Sequence, residues 1–147
     1  MLRRKKMKYS RNWENCVEVR DSQIHGKGIF AASFIPKGEL ILVIEGEVID
    51  GNECERREEE EDNVYIFWNG DECYIDTNKF GKIRYINHDC DPNCEVLDRD
   101  EGSLNLVSAR DIYPEEEITI DYGYDEIYED CTCRTCLLDS QNNSKAS

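Results

Sequence analysis

RYINHDCDPNC, residues 84–94, is the most informative stretch of this 147-residue chain. From Asn87 to Cys94 it holds two Asn, one His, two Cys, two Asp and one Pro, a set that no core strand would carry. Pro92 fixes its own φ and biases Asp91 toward extended backbone. Such a loop can offer backbone amides and carbonyls to a ligand while its side chains orient that ligand. Just upstream, Phe80, Ile83 and Ile86 recur at helical spacing, so a short helix leads into Asn87. Downstream, residues 115–125 (EEEITIDYGYD) read as a buried strand ending in two tyrosines that flank Gly123. Near the start, Gly26-Lys27-Gly28 allows close approach of backbone to a ligand, because glycine carries no Cβ.

The remaining pattern is mostly β, in short strands about ten residues apart. Val17 and Val19 alternate, and residues 29–31 resume extended structure after the glycines. Ile35-Pro36-Lys37-Gly38 is a turn. Residues 39–49 read as a strand pair or a strand kinked at Gly46, and 64–68 (VYIFW) as a strong strand. Asn69-Gly70 predicts a tight hairpin returning through 73–76. A second hairpin joins 94–97 to 104–109, and Pro114 opens a turn before a last strand at 118–122. Residues 53–62 (ECERREEEED) can bury no apolar face and form an exposed helix or a loop.

A hydrophobic fraction of 39% supports one modest core, and a charged fraction of 35% demands a heavily charged surface. The longest strongly apolar run, Leu40 to Ile44, is too short to span a bilayer. The basic start, MLRRKKMK, leads into no apolar stretch, so no secretory signal is expected and the protein should stay inside a cell: nucleus or chromatin if eukaryotic, otherwise cytoplasm. A net charge of −15 repels phosphate and argues against direct nucleic-acid binding, whereas it favours a basic polypeptide partner. No membrane partner is expected. Eight cysteines in an intracellular chain suggest metal before disulfides.

Four segments together resemble the SET-domain methyltransferases. RYINHDCDPNC is similar to that family's R-[FY]-[IL]-N-H-x-C-x-P-N signature, and EEEITIDYGYD to its E-[EL]-[IL]-T-x-D-Y signature. HGKGIFAASFIPKGELI (25–41) resembles the opening G-x-G strand and its P-K-G turn, and VIEGEVI (43–49) the following Gly-Glu segment. The segments occur in the family's order. The resemblance implies a mainly β single SET domain of small packed β-sheets, a pseudo-knot in which the last strand passes beneath a loop, and a zinc-bound C-terminal post-SET segment. It divides the chain into a flexible basic arm (1–14), the SET domain (15–125), the post-SET zinc segment (126–139) and a disordered tail (140–147).

It also implies the chemistry: transfer of a methyl group from S-adenosyl-L-methionine to a lysine of a basic protein, such as a histone tail. Lys27, Gly28, Asn87 and His88 would hold the donor, with Leu137 covering its adenine. Tyr65 and Tyr122 would line the lysine channel, Tyr122 being the catalytic tyrosine. A lysine is charged at neutral pH, its pKa being about 10.4. Burial beside a sulfonium lowers that value and frees the lone pair. Aromatic walls suit the methylammonium product through cation–π attraction. Ile44 and Ile120 stand where relatives often carry aromatics, which points to a roomier channel and higher methylation. Arg84 and Glu117 are candidates for a structural ion pair.

Cys131, Cys133 and Cys136 place three thiols within six residues, where adjacent disulfides would be strained. Tetrahedral zinc needs a fourth ligand. The resemblance supplies Cys90, with Cys94 as the substitute. One structural zinc would then staple the C-terminal segment over the site. The spacing here is C-x-C-x2-C, shorter than the common C-x-C-x4-C, which bears on the loop path. Cys16, Cys54 and Cys73 read as ordinary thiols. Two rival readings are a catalytically silent SET-fold binding module and a small zinc or redox protein.

Overall fold

The computed structural model describes residues 12–24, 26–63, 65–79 and 81–121. The basic arm up to residue 11, Tyr122, the post-SET cysteines and Leu137 lie outside them.

Three small sheets surround one aliphatic core. Strands β1 (Val17–Asp21) and β2 (Lys27–Ala31) form an antiparallel pair, with Val19 opposite Ile29. Lys27 and Gly28 thus lie inside β2, whereas the sequence placed them in the break before it. β3 (Leu40–Glu45) and β4 (Glu47–Ile49) follow, separated by Gly46. A Cβ at Gly46 would overlap the carbonyl oxygen of Asp76, so glycine is what lets the chain pass from one sheet into the next. β5 (Ile66–Trp68) and β6 (Tyr74–Asp76) build a sheet of order β4-β6-β5. The hairpin expected around Asn69-Gly70 joins them, with Asn69 N donating to Cys73 O at 2.8 Å. Trp68 pairs with Tyr74, and the loop between them takes positive φ at Gly70 and at Glu72. The Glu72 carboxylate accepts from Gly51 N at 3.1 Å.

The acidic run forms α1 (Gly51–Glu60), capped by Asp50, whose side chain accepts from Glu53 N at 2.9 Å. Only Cys54 of this helix is buried. Its attachment is therefore electrostatic, through Arg57, as described below. In place of the expected helix before Asn87 there is one 3₁₀ turn, Lys82–Tyr85, that buries Ile83.

β7 (Asn87–His88) is followed by the long hairpin of β8 (Cys94–Asp100) and β9 (Ser103–Ser108), which adds to β3 in the order β3-β9-β8. β10 (Glu117–Ile120) comes last among the described strands but sits inside the first sheet, whose order is β1-β2-β10-β7. It runs antiparallel to β2 and parallel to β7. The loop after β7 closes over it. Asp89 N donates to Ile120 O at 3.0 Å, and the Asn93 carboxamide donates to Glu117 O at 2.7 Å while accepting from Thr119 N at 2.9 Å. An interior strand contributed from so far along the chain agrees with the expected threading.

The core is built largely from isoleucines. Ile29, Ile35, Ile41, Ile44, Ile75, Ile112 and Ile118 are fully buried and join all three sheets. β-Branched side chains suit such pleated, close-packed surfaces. Ile44 and Ile120 both belong to this core, packed among other aliphatic side chains. Among the described residues, no helix is long and apolar enough to cross a membrane.

Candidate active site

The β-sheet order brings Gly28, Asn87 and Glu117 to one point. A Cβ on Gly28 would overlap Glu117 Oε2 and press on the Asn87 amide nitrogen. A larger residue there would have to displace the Glu117 carboxylate, and close approach, not a left-handed φ, is what favours glycine. Asn87 Nδ2 donates to Glu117 Oε2 at 2.7 Å and lies 3.1 Å from Lys27 O and 3.2 Å from Ser22 Oγ. The Ser22 hydroxyl donates to Glu117 Oε1 at 2.7 Å. Segments separated by some ninety residues in sequence thus meet through one carboxylate.

The loop before β2 is shaped to reach this point. Ser22 N donates to Gly26 O at 2.8 Å, and Ile24 N donates back to Ser22 Oγ at 3.0 Å. Gly26 takes φ +47, a left-handed conformation that suits glycine. Lys27 projects outward, largely exposed, with Nζ 3.4 Å from Asp21. Its backbone, not its ammonium, faces Asn87.

His88 follows Asn87 on β7. Its Nε2 lies 3.3 Å from Cys90 Sγ, and its Nδ1 lies 3.7 Å from Asp121. Cys90 is exposed, on the loop that covers β10. Cys94 is not equivalent to it. Cys94 is 1% exposed within the core, and burial pushes its thiol pKa far up. A thiol held protonated inside an aliphatic core is a poor metal ligand. Among the described residues, no group of three or more His, Cys, Asp or Glu is arranged to hold a metal. Cys131, Cys133 and Cys136, the other expected ligands, are outside those residues.

Tyr65 is half-buried just before β5, and its carbonyl accepts from Thr77 N at 2.9 Å and Thr77 Oγ1 at 2.8 Å. Its ring faces the Arg84 guanidinium at 5.8 Å, and Tyr85 lies on the same cation at 4.9 Å. Arg84 therefore does not pair with Glu117, contrary to the sequence expectation. Its Nε is buried without a hydrogen-bond partner, and aromatic faces satisfy the charge instead. Among the described residues, Glu117 receives neutral donors, from Ser22 and Asn87. Sequence reading missed Ser22 altogether, because a single serine in a loop carries no signal. It quoted Asn93 without assigning the β10 clamp, which its place after Pro92 would have allowed.

The chain matches the SET domain model over residues 26–123. It is 39% identical over 121 residues to histone-lysine N-methyltransferase 2D of Homo sapiens, covering 77% of this chain and 2% of that protein. It is 42% identical over 108 residues to histone-lysine N-methyltransferase Set2 of Drosophila melanogaster, covering 67% of this chain and 5% of that one. With histone-lysine N-methyltransferase SETMAR of Bos taurus it shares 36% identity over 123 residues, covering 73% of this chain and 40% of the relative. The chain thus spans a small part of the length of these relatives. The SET match covers most of the chain, including the strands that meet at Glu117, and on this basis the chain belongs to the SET-domain family.

Proposed function

We propose that this chain is an S-adenosyl-L-methionine-dependent protein-lysine N-methyltransferase acting on a histone or another basic protein tail in the nucleus, at chromatin. The observation that carries the reading is the junction at Glu117, where Gly28 of β2, Asn87 of β7 and the loop of Ser22 are drawn together. The names of the relatives support the reaction class. The organisation we propose is that read from the sequence, basic arm 1–14, SET domain 15–125, post-SET segment 126–139 and tail 140–147, except that Trp13 already packs against the core and its backbone N–H faces Leu40 O and Ile41 O at 3.0 Å.

The donor, when bound, supplies an electrophilic methyl group on a sulfonium. The fit of this chain to it rests on the junction of β2, β7 and β10, where Gly28 makes room for the Glu117 carboxylate and the Asn87 amide nitrogen is turned toward Glu117, Lys27 O and Ser22. Lys27 and Gly28 bind through backbone, Asn87 and His88 through the β7 segment, and Leu137 covers the adenine. Tyr65 and Tyr122 line the channel for the target lysine. Desolvation there lowers the amine pKa from about 10.4 and favours its neutral form. The Tyr122 hydroxyl orients that amine, and most of the acceleration comes from alignment. Exposed carboxylates along α1 favour a basic substrate. Cys90, exposed on the loop over β10, joins Cys131, Cys133 and Cys136 around one zinc. Metal analysis finding no zinc in the purified protein would remove that part.

The direct test is mass spectrometry of core histones incubated with the protein and isotopically labelled donor. Labelled methyl-lysine is expected, reduced at least roughly a hundredfold in Tyr122→Phe. Activity undiminished in Tyr122→Phe would overturn the catalytic assignment. Absence of donor binding to the wild-type protein would overturn the reading as a whole.

A further inference from the structure

We infer that Ser22 is a positioning residue for the methyl-donor site, acting through Glu117 to fix the orientation of the Asn87 carboxamide and the position of the loop that carries Lys27. The inference rests on the donor-site reading above and goes beyond it in assigning a role to a residue outside every motif segment.

Proton accounting around Ser22 leaves one arrangement. Its Oγ has three near partners: Glu117 Oε1 at 2.7 Å, Ile24 N at 3.0 Å and Asn87 Nδ2 at 3.2 Å. The second and third are donors. The carboxylate alone can accept, so the single hydroxyl proton goes to Glu117 while Oγ accepts from Ile24 N. The hydroxyl cannot rotate without breaking a bond to a charged group.

The consequence passes to Asn87. Its amide nitrogen faces Glu117 Oε2, Lys27 O and Ser22 Oγ. Turned over, the carboxamide would set its oxygen against a carboxylate and a carbonyl, a like-charge contact. The nitrogen end is therefore locked inward, and the oxygen end is turned the other way. Which end of Asn87 a ligand meets is thus decided by where Glu117 sits. Among the described residues, Glu117 has Ser22 and Asn87 as its side-chain partners and no cation, so Ser22 is half of what holds it there. Ser22 also closes the loop through Ser22 N to Gly26 O at 2.8 Å, one residue before Lys27. One hydroxyl therefore couples the loop to β10, and through the shared carboxylate to β7.

Calorimetric titration of the full chain with S-adenosylmethionine tests this in wild type, Ser22→Ala and Ser22→Thr. Loss of a hydrogen bond to a charged group predicts that Ser22→Ala weakens donor binding by roughly tenfold or more. The peptide KM and the kcat at saturating donor stay within about twofold of wild type, and Ser22→Thr, which keeps the hydroxyl, restores the affinity. Unchanged donor affinity in Ser22→Ala overturns the inference. So does a loss spread equally over donor and peptide binding, which a merely structural serine would give. If Ser22→Ala does not fold, Ser22→Thr and Ser22→Cys decide: Thr binding like wild type and Cys binding more weakly supports the role, and equal binding by the two overturns it. Failure of the wild-type protein to bind the donor is a different result, since it removes the functional reading itself.

Discussion

Around Glu117 a carboxylate is held by one hydroxyl and one carboxamide; around Asp76 a carboxylate is held by an arginine, an asparagine amide and a backbone N–H. Both sit on short strands beside the core. Arg57 of α1 reaches Asp76 Oδ2 at 2.8 Å, forks onto Glu47 at 3.0 and 2.8 Å, and meets Glu53 at 2.8 Å. It is the clasp that fastens an otherwise exposed helix to the β4-β6-β5 sheet. Arginine cations pair directly with the carboxylates of that region. At Glu117 no cation intervenes among the described residues, and a neutral network orients the Asn87 carboxamide. The contrast teaches that the density of ion pairs marks the strap, while spare, uncharged hydrogen bonding marks the site.

Gly28→Ala should give the largest effect, because the added Cβ overlaps the Glu117 carboxylate. Displacing that carboxylate costs about 2 kcal/mol of stability by overpacking and should abolish measurable donor binding. Retained binding in calorimetry would mean that the junction yields, and the contrast with the clasp would lose its basis.

Arg57→Ala should come next, and on stability alone. It leaves Asp76, only 7% exposed, with Asn63 and the Asn78 N–H as partners. A cost of about 2 kcal/mol is expected from stranding a buried carboxylate. Donor affinity of the folded variant should match wild type. A parallel loss of donor affinity would show that strap and site are one unit.

The smallest effect is in acid. Hydrogen bonds from Arg56 and then Arg57 hold the Glu53 carboxyl down from 4.5 to about 2. Burial raises the Asp76 pKa, but hydrogen bonds from Asn78 N–H, Arg57 and Asn63 outweigh it and the net direction is down. Hydrogen bonding from Arg57 likewise lowers Glu47. Carboxyls with depressed folded values contribute stability that is present at neutral pH and lost as pH falls through the folded values. The α1 contribution should therefore fade between pH 4.5 and about 2. Denaturant midpoints followed across that range should fall less steeply in Arg57→Ala. Identical slopes would show that the clasp does not govern the acid limb.

Much of the fold was legible because its strands are short, β-branched and bounded by glycine, proline or charge. Val17 announced its strand by alternation, and Ile29, Ile75 and Ile118 announced theirs by the glycine and proline turns that precede them. The β5–β6 hairpin was legible from Asn69-Gly70, but the contact of Glu72 with Gly51 N at the start of α1 was not, because it joins residues far apart in sequence. The helix expected from Phe80, Ile83 and Ile86 shrank to a single turn, because Ile86 takes extended backbone to enter β7. At the site, motifs named Gly28 and Asn87 but not why they are needed. That reason is Glu117, whose partner was expected to be Arg84. Charge complementarity suggested the pair, and aromatic stacking on Tyr65 and Tyr85 claimed the cation instead.

The interior place of β10 has a consequence for how the molecule comes into being. β1 and β2 emerge from the ribosome early, yet their sheet stays open on one side until residues 117–120 arrive. Contacts such as Ser22 to Glu117 close loops of 95 residues, and chain closures of that length are slow. The junction at Glu117 is therefore among the last features of the domain to form during synthesis. A nascent or truncated chain that stops short of Glu117 has Gly28 and Asn87 but nothing to bring them together, so competence is withheld until nearly the whole domain has been made.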